Sequence, residues 1–396
     1  MILADSTLMA CGNNEYICQS AGAVFLMLAQ KGFDVRCVDL LSGTGHSSIH
    51  PKHDPADVCC YSVFLGNKKE AFRHMIEARR AFKAPRLIIA FGPFASVFPK
   101  EILSRGLADM VVTSDPEFVL PMVLRDSHKA EALSAIPNLS YKNDGKIIHT
   151  EARSFQNLDE VPFIGPYFYS RGHRPAFIMT SRGCPHHCIF CDRHVITGRK
   201  FLKRSVANVL SEIKELVEVH HAGAINFLDA DLVIDHERLV RLCEGLRRIK
   251  GEFHWNCSAC VDSVNQKLLI LMKSARCADV FFGVESASHQ VLRRLGKTYT
   301  RRQIVDAVRW TQKAGMTAQV GIIVGNRGET DSDQQMTSSL LNELGPQIDL
   351  KITRLTILPG SALFHIGLRE GWFTRDSYFE SEGVFYYDEK KMVCVQ

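Results

Sequence analysis

Three cysteines on one short stretch are the residues of this chain best placed to do chemistry. In RGCPHHCIFCD, Cys184, Cys188 and Cys191 follow the spacing C-x₃-C-x₂-C. Three thiols this close cannot pair off as disulfides without leaving one over, but as thiolates they can face a single metal centre. A [4Fe–4S] cluster normally takes four cysteines, so three local ligands leave one iron open to bind something else. That open iron separates a catalytic cluster from a plain electron carrier. A structural zinc site is the competing reading; it needs a fourth ligand, and His186, His187 and His194 lie nearby. Cysteine zinc sites usually draw a second pair from further along the chain, and none follows at finger or ribbon spacing. The triplet favours iron and sulfur.

A second group of reactive side chains is spread over later segments. FLDAD (227–231) offers Asp229 and Asp231, and FGVES offers Glu285 beside Ser286. An aspartate can equally cap the helix that follows it. FHWNCSACVDSV carries Cys257 and Cys260. On one strand these two thiols point to opposite faces, which argues against a disulfide or a shared metal. One of them, Cys260 ahead of Cys257, is expected to face inward and to donate a proton or hydrogen atom. Burial as a small apolar residue is the plainer fate of a free cysteine.

All of these residues recur at one kind of place. From residue 175 a strand–helix pattern repeats about six times, with strands expected at 176–180, 224–228, 252–257, 279–284, 318–324 and 352–357. The clearest helical stretch is 206–219, where Val206, Leu210, Ile213 and Val217 share a face and Ser205 can cap. Such a repeat predicts a partial (β/α)6 barrel whose chemistry gathers at the carboxyl ends of its strands. The cysteine triplet follows the first strand, as that rule requires.

Upstream, strands at 1–3, 35–40, 58–63, 87–91 and 110–113 alternate with helices at 21–31, 69–82 and 100–106. This predicts an α/β, doubly wound (Rossmann-like) sheet. Its ligands would sit beyond the strand ends, at SVFLG (62–66), FGPFAS (91–96) and TSDPE (113–117). Small residues there admit a large ligand close to the backbone, although ordinary turns would read the same. Between the halves, SYKNDGKIIHTEA predicts a hairpin around Asn143-Asp144-Gly145, and Pro162, Pro166 and Pro175 break any helix. The expected domains are therefore 1–135, a linker with a hairpin at 136–174, the barrel at 175–365, and a short aromatic and charged tail at 366–396.

Composition bounds the partners. Of 396 residues, 46% are hydrophobic and 23% charged, enough for two sizeable cores. A net charge of only +5, with no basic block interleaved with aromatics, argues against nucleic acid. No apolar run reaches the ~20 residues that span a bilayer, which argues against a membrane partner. The amino terminus lacks a basic leader, and the cysteine count of 13 is odd. A reducing cytoplasm is the expected setting.

With these motifs in order, the chain resembles the radical S-adenosylmethionine (SAM) superfamily, and within it the subgroup with an N-terminal cobalamin-binding domain. The resemblance implies that Cys184, Cys188 and Cys191 hold three irons while the amino and carboxylate groups of SAM chelate the fourth. Reduction then opens the sulfonium to a 5′-deoxyadenosyl radical. It implies that Phe190 lies beside the adenine, that Asp229 or Asp231 receives the SAM amine, and that Glu285 and Ser286 bind the ribose. Ile323 and Gly325, in VGIIVGNRGET, would meet the adenine, and Pro359-Gly360 would close the barrel. Ser62, Gly92, Pro93 and Ser114 would form the cobalamin face.

Three departures stand out. The DxHxxG cobalt-ligand signature is absent, since GTGHSS with His46 has neither its aspartate nor its spacing. Arg327 stands where proline is common. Cys260 stands where relatives commonly carry arginine, and a thiol cannot hold a carboxylate bidentately as arginine does.

The activity implied is a cobalamin-dependent radical SAM methyltransferase acting on a small-molecule biosynthetic substrate. One SAM would methylate the cobalamin and a second would give the radical, with electrons from a flavodoxin- or ferredoxin-type donor. The alternative is a radical SAM enzyme with an empty cobalamin-like domain, carrying out dehydration, deoxygenation, cyclisation or another rearrangement. A non-catalytic iron–sulfur redox protein is the third reading, and the nucleoside motifs speak against it.

Overall fold

The computed structural model describes residues 2–5, 15–39, 58–81, 87–126, 130–170, 172, 175–387 and 393–395. It divides into two compact units. The first comprises Met1–Ile164, Asp192–Gly198 and Phe373–Glu382; the second comprises Gly165–Cys191, Arg199–Trp372 and Gly383–Gln396. No described helix is long and apolar enough to cross a membrane.

In the first unit, Ile2–Asp5 lies between Arg36–Asp39 and Val58–Ser62, followed by Leu87–Phe91 and Met110–Val112, all parallel. VCCYS and LIIAF are buried almost throughout, as strands covered on both faces must be. Val24, Leu28, Ile89, Phe91, Val112, Leu120 and Val123 share one core. The hairpin Leu139–Asn143 and Lys146–His149 adds two antiparallel strands to this sheet, so the segment read as linker extends the core. Its turn places Asp144 and Gly145 at φ 49 and 76, the left-handed pair that matches strand twist in a two-residue hairpin.

Part of the tail also belongs here. Phe379 stacks on Phe72 at 5.1 Å and Tyr378 on Phe98 at 5.9 Å. The Lys68 ammonium donates to the carbonyls of Tyr378 and Phe379 at 3.1 Å, and Arg375 pairs with Glu101 at 2.6 Å.

The second unit holds six parallel strands in chain order: Ala176–Ile178, Ala224–Phe227, His254–Ala259, Cys277–Glu285, Thr317–Val324 and Asp349–Arg354. Along the third, Trp255, Cys257 and Ala259 face the helix-packed core while Asn256 and Ser258 face the other way. That strand runs to Ala259 instead of ending at 257. The sixth strand ends at Arg354, three residues before the expected 357. The apolar residues that suggested the later end, Leu355 and Ile357, are buried beyond the strand. Ser205 caps Val206–Lys214 by accepting from the Asn208 N–H at 3.1 Å, and the helix continues as a π-turn over Glu215–Val219.

A buried ion pair lies beside the first strand of this unit. Arg204 Nη1 meets Glu212 Oε2 at 2.6 Å, and Glu212 Oε1 accepts the Gly165 N–H at 2.8 Å. Removing one partner strands a buried charge, which costs about 3–5 kcal/mol. Glu212→Ala is therefore expected to lower unfolding stability by about that amount in denaturant titration. A loss below about 1 kcal/mol would contradict the pairing.

Candidate active site

The cysteine triplet lies just past the first barrel strand, and the chain around it is pinned at four points. The Ile189 N–H donates to Leu295 at 3.1 Å, and the Ile189 carbonyl accepts from Leu363 at 2.8 Å. Arg199 Nη1 donates to the His186 carbonyl at 2.7 Å. The His187 carbonyl packs against Gly296, where an added Cβ would come within 2.3 Å of it and where φ is +80. Glycine is required there for both reasons. All three cysteines are half-buried and in no disulfide. Burial pushes the Cys188 thiol up, with Glu285 and Cys184 adding to the shift and Lys297 opposing it. Gly296→Val is expected to push this loop aside and to lower the iron retained after anaerobic reconstitution. Wild-type iron content in that variant would contradict the packing.

The end of the fourth strand is strained. Glu285 sits at φ 61, and the Ser286 N–H bonds back to Val284 at 2.7 Å, a γ-turn at a shift in strand register. A bulge of this kind re-aims a side chain, and a non-glycine residue held left-handed points to a functional constraint. Tyr299 clamps the turn by donating to the Gly283 and Val284 carbonyls at 2.5 and 3.2 Å. The Glu285 carboxylate faces the Lys297 ammonium at 3.3 Å, both side chains being 10% exposed. Burial raises Glu285 above the usual carboxylate range, and Lys297 partly offsets it. For Lys297 burial works downward, but Glu285, Tyr299, Cys188 and Cys260 outweigh it and keep the amine protonated. Lys297 also lies over the Phe190 ring at 5.9 Å. One buried cation thus sits among the carboxylate, the aromatic ring and a triplet thiol.

The other expected residues divide. Asp229 is 1% exposed and tied to the first strand, accepting from the Thr180 N–H at 3.0 Å, the Thr180 hydroxyl at 2.8 Å and the Ser181 hydroxyl. Asp231 takes the Ser263 hydroxyl at 2.5 Å and meets His186 Nε2 at 3.2 Å. Burial alone would raise Asp231, but these two hydrogen bonds hold it below the usual range. Cys260, the first residue past the third strand, has its Sγ 3.2 Å from His186 Nε2.

Cys257 does not join them. It is 5% exposed and packs in the core with Cys277, so strand alternation removes it from the inner face. Ser286 turns away as well. The γ-turn before it directs its fully buried hydroxyl to Thr337 Oγ1, at 3.2 Å, and to the Ser288 N–H. Ile323 is buried, and the Gly325 N–H is taken by Glu329 at 3.1 Å.

Lys297, Tyr299 and the approach of His186 to Cys260 were not read from the sequence. A lysine shortly after a helix looks like a favourable end charge, and only the fold turns it inward.

In the first unit, the expected turns come together at adjacent strand ends. The Ser96 hydroxyl lies 2.8 Å from the Gly92 carbonyl and 2.7 Å from that of Thr113, linking two of them. Gly92 has φ +96, and a Cβ there would meet the Val63 carbonyl at 2.8 Å. Pro93 opens the helix Pro93–Val97, and Ser114 donates to Asp115 at 3.1 Å. The Ser62 hydroxyl is buried with no hydrogen-bond partner among the described residues. His46 lies outside those residues.

Comparison with known proteins fits this arrangement. The radical SAM superfamily model matches residues 178–341. An uncharacterized methyltransferase of Pyrococcus horikoshii is 29% identical over 291 residues, 71% of this chain and 63% of that protein. Another from Synechocystis is 27% identical over 326 residues, 80% of this chain and 57% of that protein. The chain therefore spans about three fifths of the length of these relatives. The structure of the radical SAM methyltransferase TsrM from Kitasatospora setae, with cobalamin and a [4Fe–4S] cluster bound, aligns with a TM-score of 0.77 at 15% identity, over 94% of this chain and 74% of that one. That match shows likeness of fold. Residues 178–341 thus match a radical SAM domain, and the chain shares its fold with a structure that holds cobalamin and a [4Fe–4S] cluster.

Proposed function

We propose that this chain is a cobalamin-dependent radical SAM methyltransferase acting on a small molecule. In this reading, residues 1–135 receive the cobalamin and 175–365 form the catalytic barrel. The observation that carries it is the buried Lys297–Glu285 pair beside Cys188. An electron-transfer cluster has no use for a strained carboxylate and a buried cation at its edge, whereas a zwitterionic nucleoside needs both.

The residues fit the groups. Cys184, Cys188 and Cys191 are three thiols outside any disulfide on one pinned loop, suited to three irons. Glu285 can take a vicinal diol in two hydrogen bonds, and Lys297 can hold a carboxylate. Asp229 is already committed to strand-end groups, which leaves it a positioning role. The unpartnered Ser62 hydroxyl suits a polar ligand laid across the strand ends of the first sheet. When bound, the cluster supplies the electron that opens SAM and the cobalamin carries the methyl group. The protein's part is to hold these ligands in register and to exclude water from the radical.

The test is retention of cobalamin. Anaerobic reconstitution with iron, sulfide and hydroxocobalamin, followed by desalting, should leave protein-bound cobalamin in the visible spectrum. A wild-type protein that keeps its cluster but no cobalamin would shift the reading to radical chemistry without methyl transfer.

A further inference from the structure

We infer that His186, Asp231 and Cys260 form a second metal site, separate from the cysteine triplet, for a divalent cation of the zinc class. Ligand atoms of three chemical kinds lie within 4.8 Å of one another. His186 Nε2 stands 3.2 Å from Asp231 Oδ2 and 3.2 Å from Cys260 Sγ. An imidazole nitrogen carries at most one proton, so it cannot hydrogen-bond well to a carboxylate and a thiol together. A cation at the point they all face satisfies the three at once.

The dimensions fit. Tetrahedral zinc, with bonds of about 2.0 Å to nitrogen and oxygen and about 2.3 Å to sulfur, sets its ligand atoms roughly 3.3 Å and 3.5 Å apart. The two separations from His186 need open by only a few tenths of an ångström, and Asp231 and Cys260 lie within 4.8 Å of each other. A mixed nitrogen, oxygen and sulfur set suits zinc or cobalt(II); magnesium and calcium take oxygen ligands.

The surroundings orient these ligands. Asp231 has a side chain 1% exposed, with Oδ1 held by the Val233 N–H at 3.1 Å and Oδ2 by the Ser263 hydroxyl at 2.5 Å. Outer contacts of this kind are what fix a ligating carboxylate. The His186 side chain is 32% exposed, which gives an ion a way in. Three protein ligands leave a fourth position for an exchangeable group, the donor count of a catalytic zinc and not of a structural one. Cys260 would bind as thiolate, its proton passing to solvent. The same substitution that removes the expected arginine supplies the sulfur.

The test separates this site from the cluster. In the full-length protein with Cys184, Cys188 and Cys191 replaced by alanine, anaerobic titration should bind about one equivalent of cobalt(II). The bound metal should show a thiolate-to-cobalt charge-transfer band and the intense visible bands of four-coordinate cobalt, and zinc should abolish both. Cys260→Ser should remove the charge-transfer band, and Ser263→Ala should weaken binding by about tenfold. A spectrum unchanged by Cys260→Ser overturns the site. If the triple variant takes up no cobalt, metal analysis of the wild-type protein, reconstituted with iron, sulfide and zinc, decides. One zinc beyond the cluster iron, absent in Cys260→Ser, supports the site, and no such zinc overturns it. Neither measurement depends on SAM or cobalamin, so both stand apart from the proposed activity.

Discussion

Replacing Cys188 with alanine is expected to abolish 5′-deoxyadenosine formation in the reduced, SAM-supplied protein. Cys184, Cys188 and Cys191 are three thiols without a spare, so losing one leaves the cluster with two protein ligands. The loop around them is held by backbone bonds from Leu295 and Leu363 and by the fit of His187 on Gly296. The variant should therefore keep its fold and lose its iron, which separates a chemical effect from unfolding. Chromatography of the quenched reaction reads the product, and iron analysis reads the cluster. Cys257→Ala is the control, since that thiol lies in the core, and it should still make the product. Deoxyadenosine from Cys188→Ala at the wild-type rate would remove the triplet from the chemistry.

Lys297→Met should weaken SAM binding by about 10- to 100-fold and leave 5′-methylthioadenosine binding nearly unchanged. A hydrogen bond to a charged group contributes about 1.5–3 kcal/mol, and 1.4 kcal/mol is a factor of ten in affinity. Methylthioadenosine keeps the nucleoside and lacks the amino-acid moiety, so the pair of ligands reports which part Lys297 holds. A lysine serving only to neutralise Glu285, 3.3 Å away, would cost both ligands alike. Glu285→Gln should do that, because the ribose is common to both. Lys297→Arg should recover much of the SAM affinity. Equal SAM binding by wild type and Lys297→Met, measured calorimetrically, would refute the assignment.

Much of this was legible in the sequence because its signals are local. The triplet spacing, the strand–helix repeat and the Asp-Gly hairpin each depend on a few adjacent residues, and the structure has each of those elements. What was not legible depends on contacts between distant segments. Lys297 meets Glu285 only because the chain folds back over the fourth strand, and His186 meets Cys260 across three strands of the sheet. Ser286 is a subtler case: Glu285 before it has a left-handed φ and its own hydroxyl is bonded to Thr337 and the Ser288 N–H, which no residue type announces. Cys257 lies in the core and Cys260 just past the strand beside His186, so the surroundings of each depend on where the strand ends. The hairpin at 139–149 read as linker because its charged turn hid the buried Leu139 and Tyr141 that join it to the sheet.

The open iron is expected to bind SAM through its amino-acid end beside Lys297. Electron paramagnetic resonance of the reduced, reconstituted protein tests it most directly. Adding SAM should change the g values of the cluster signal, while adding 5′-methylthioadenosine should leave them as they were. A cluster spectrum identical with and without saturating SAM would contradict the account.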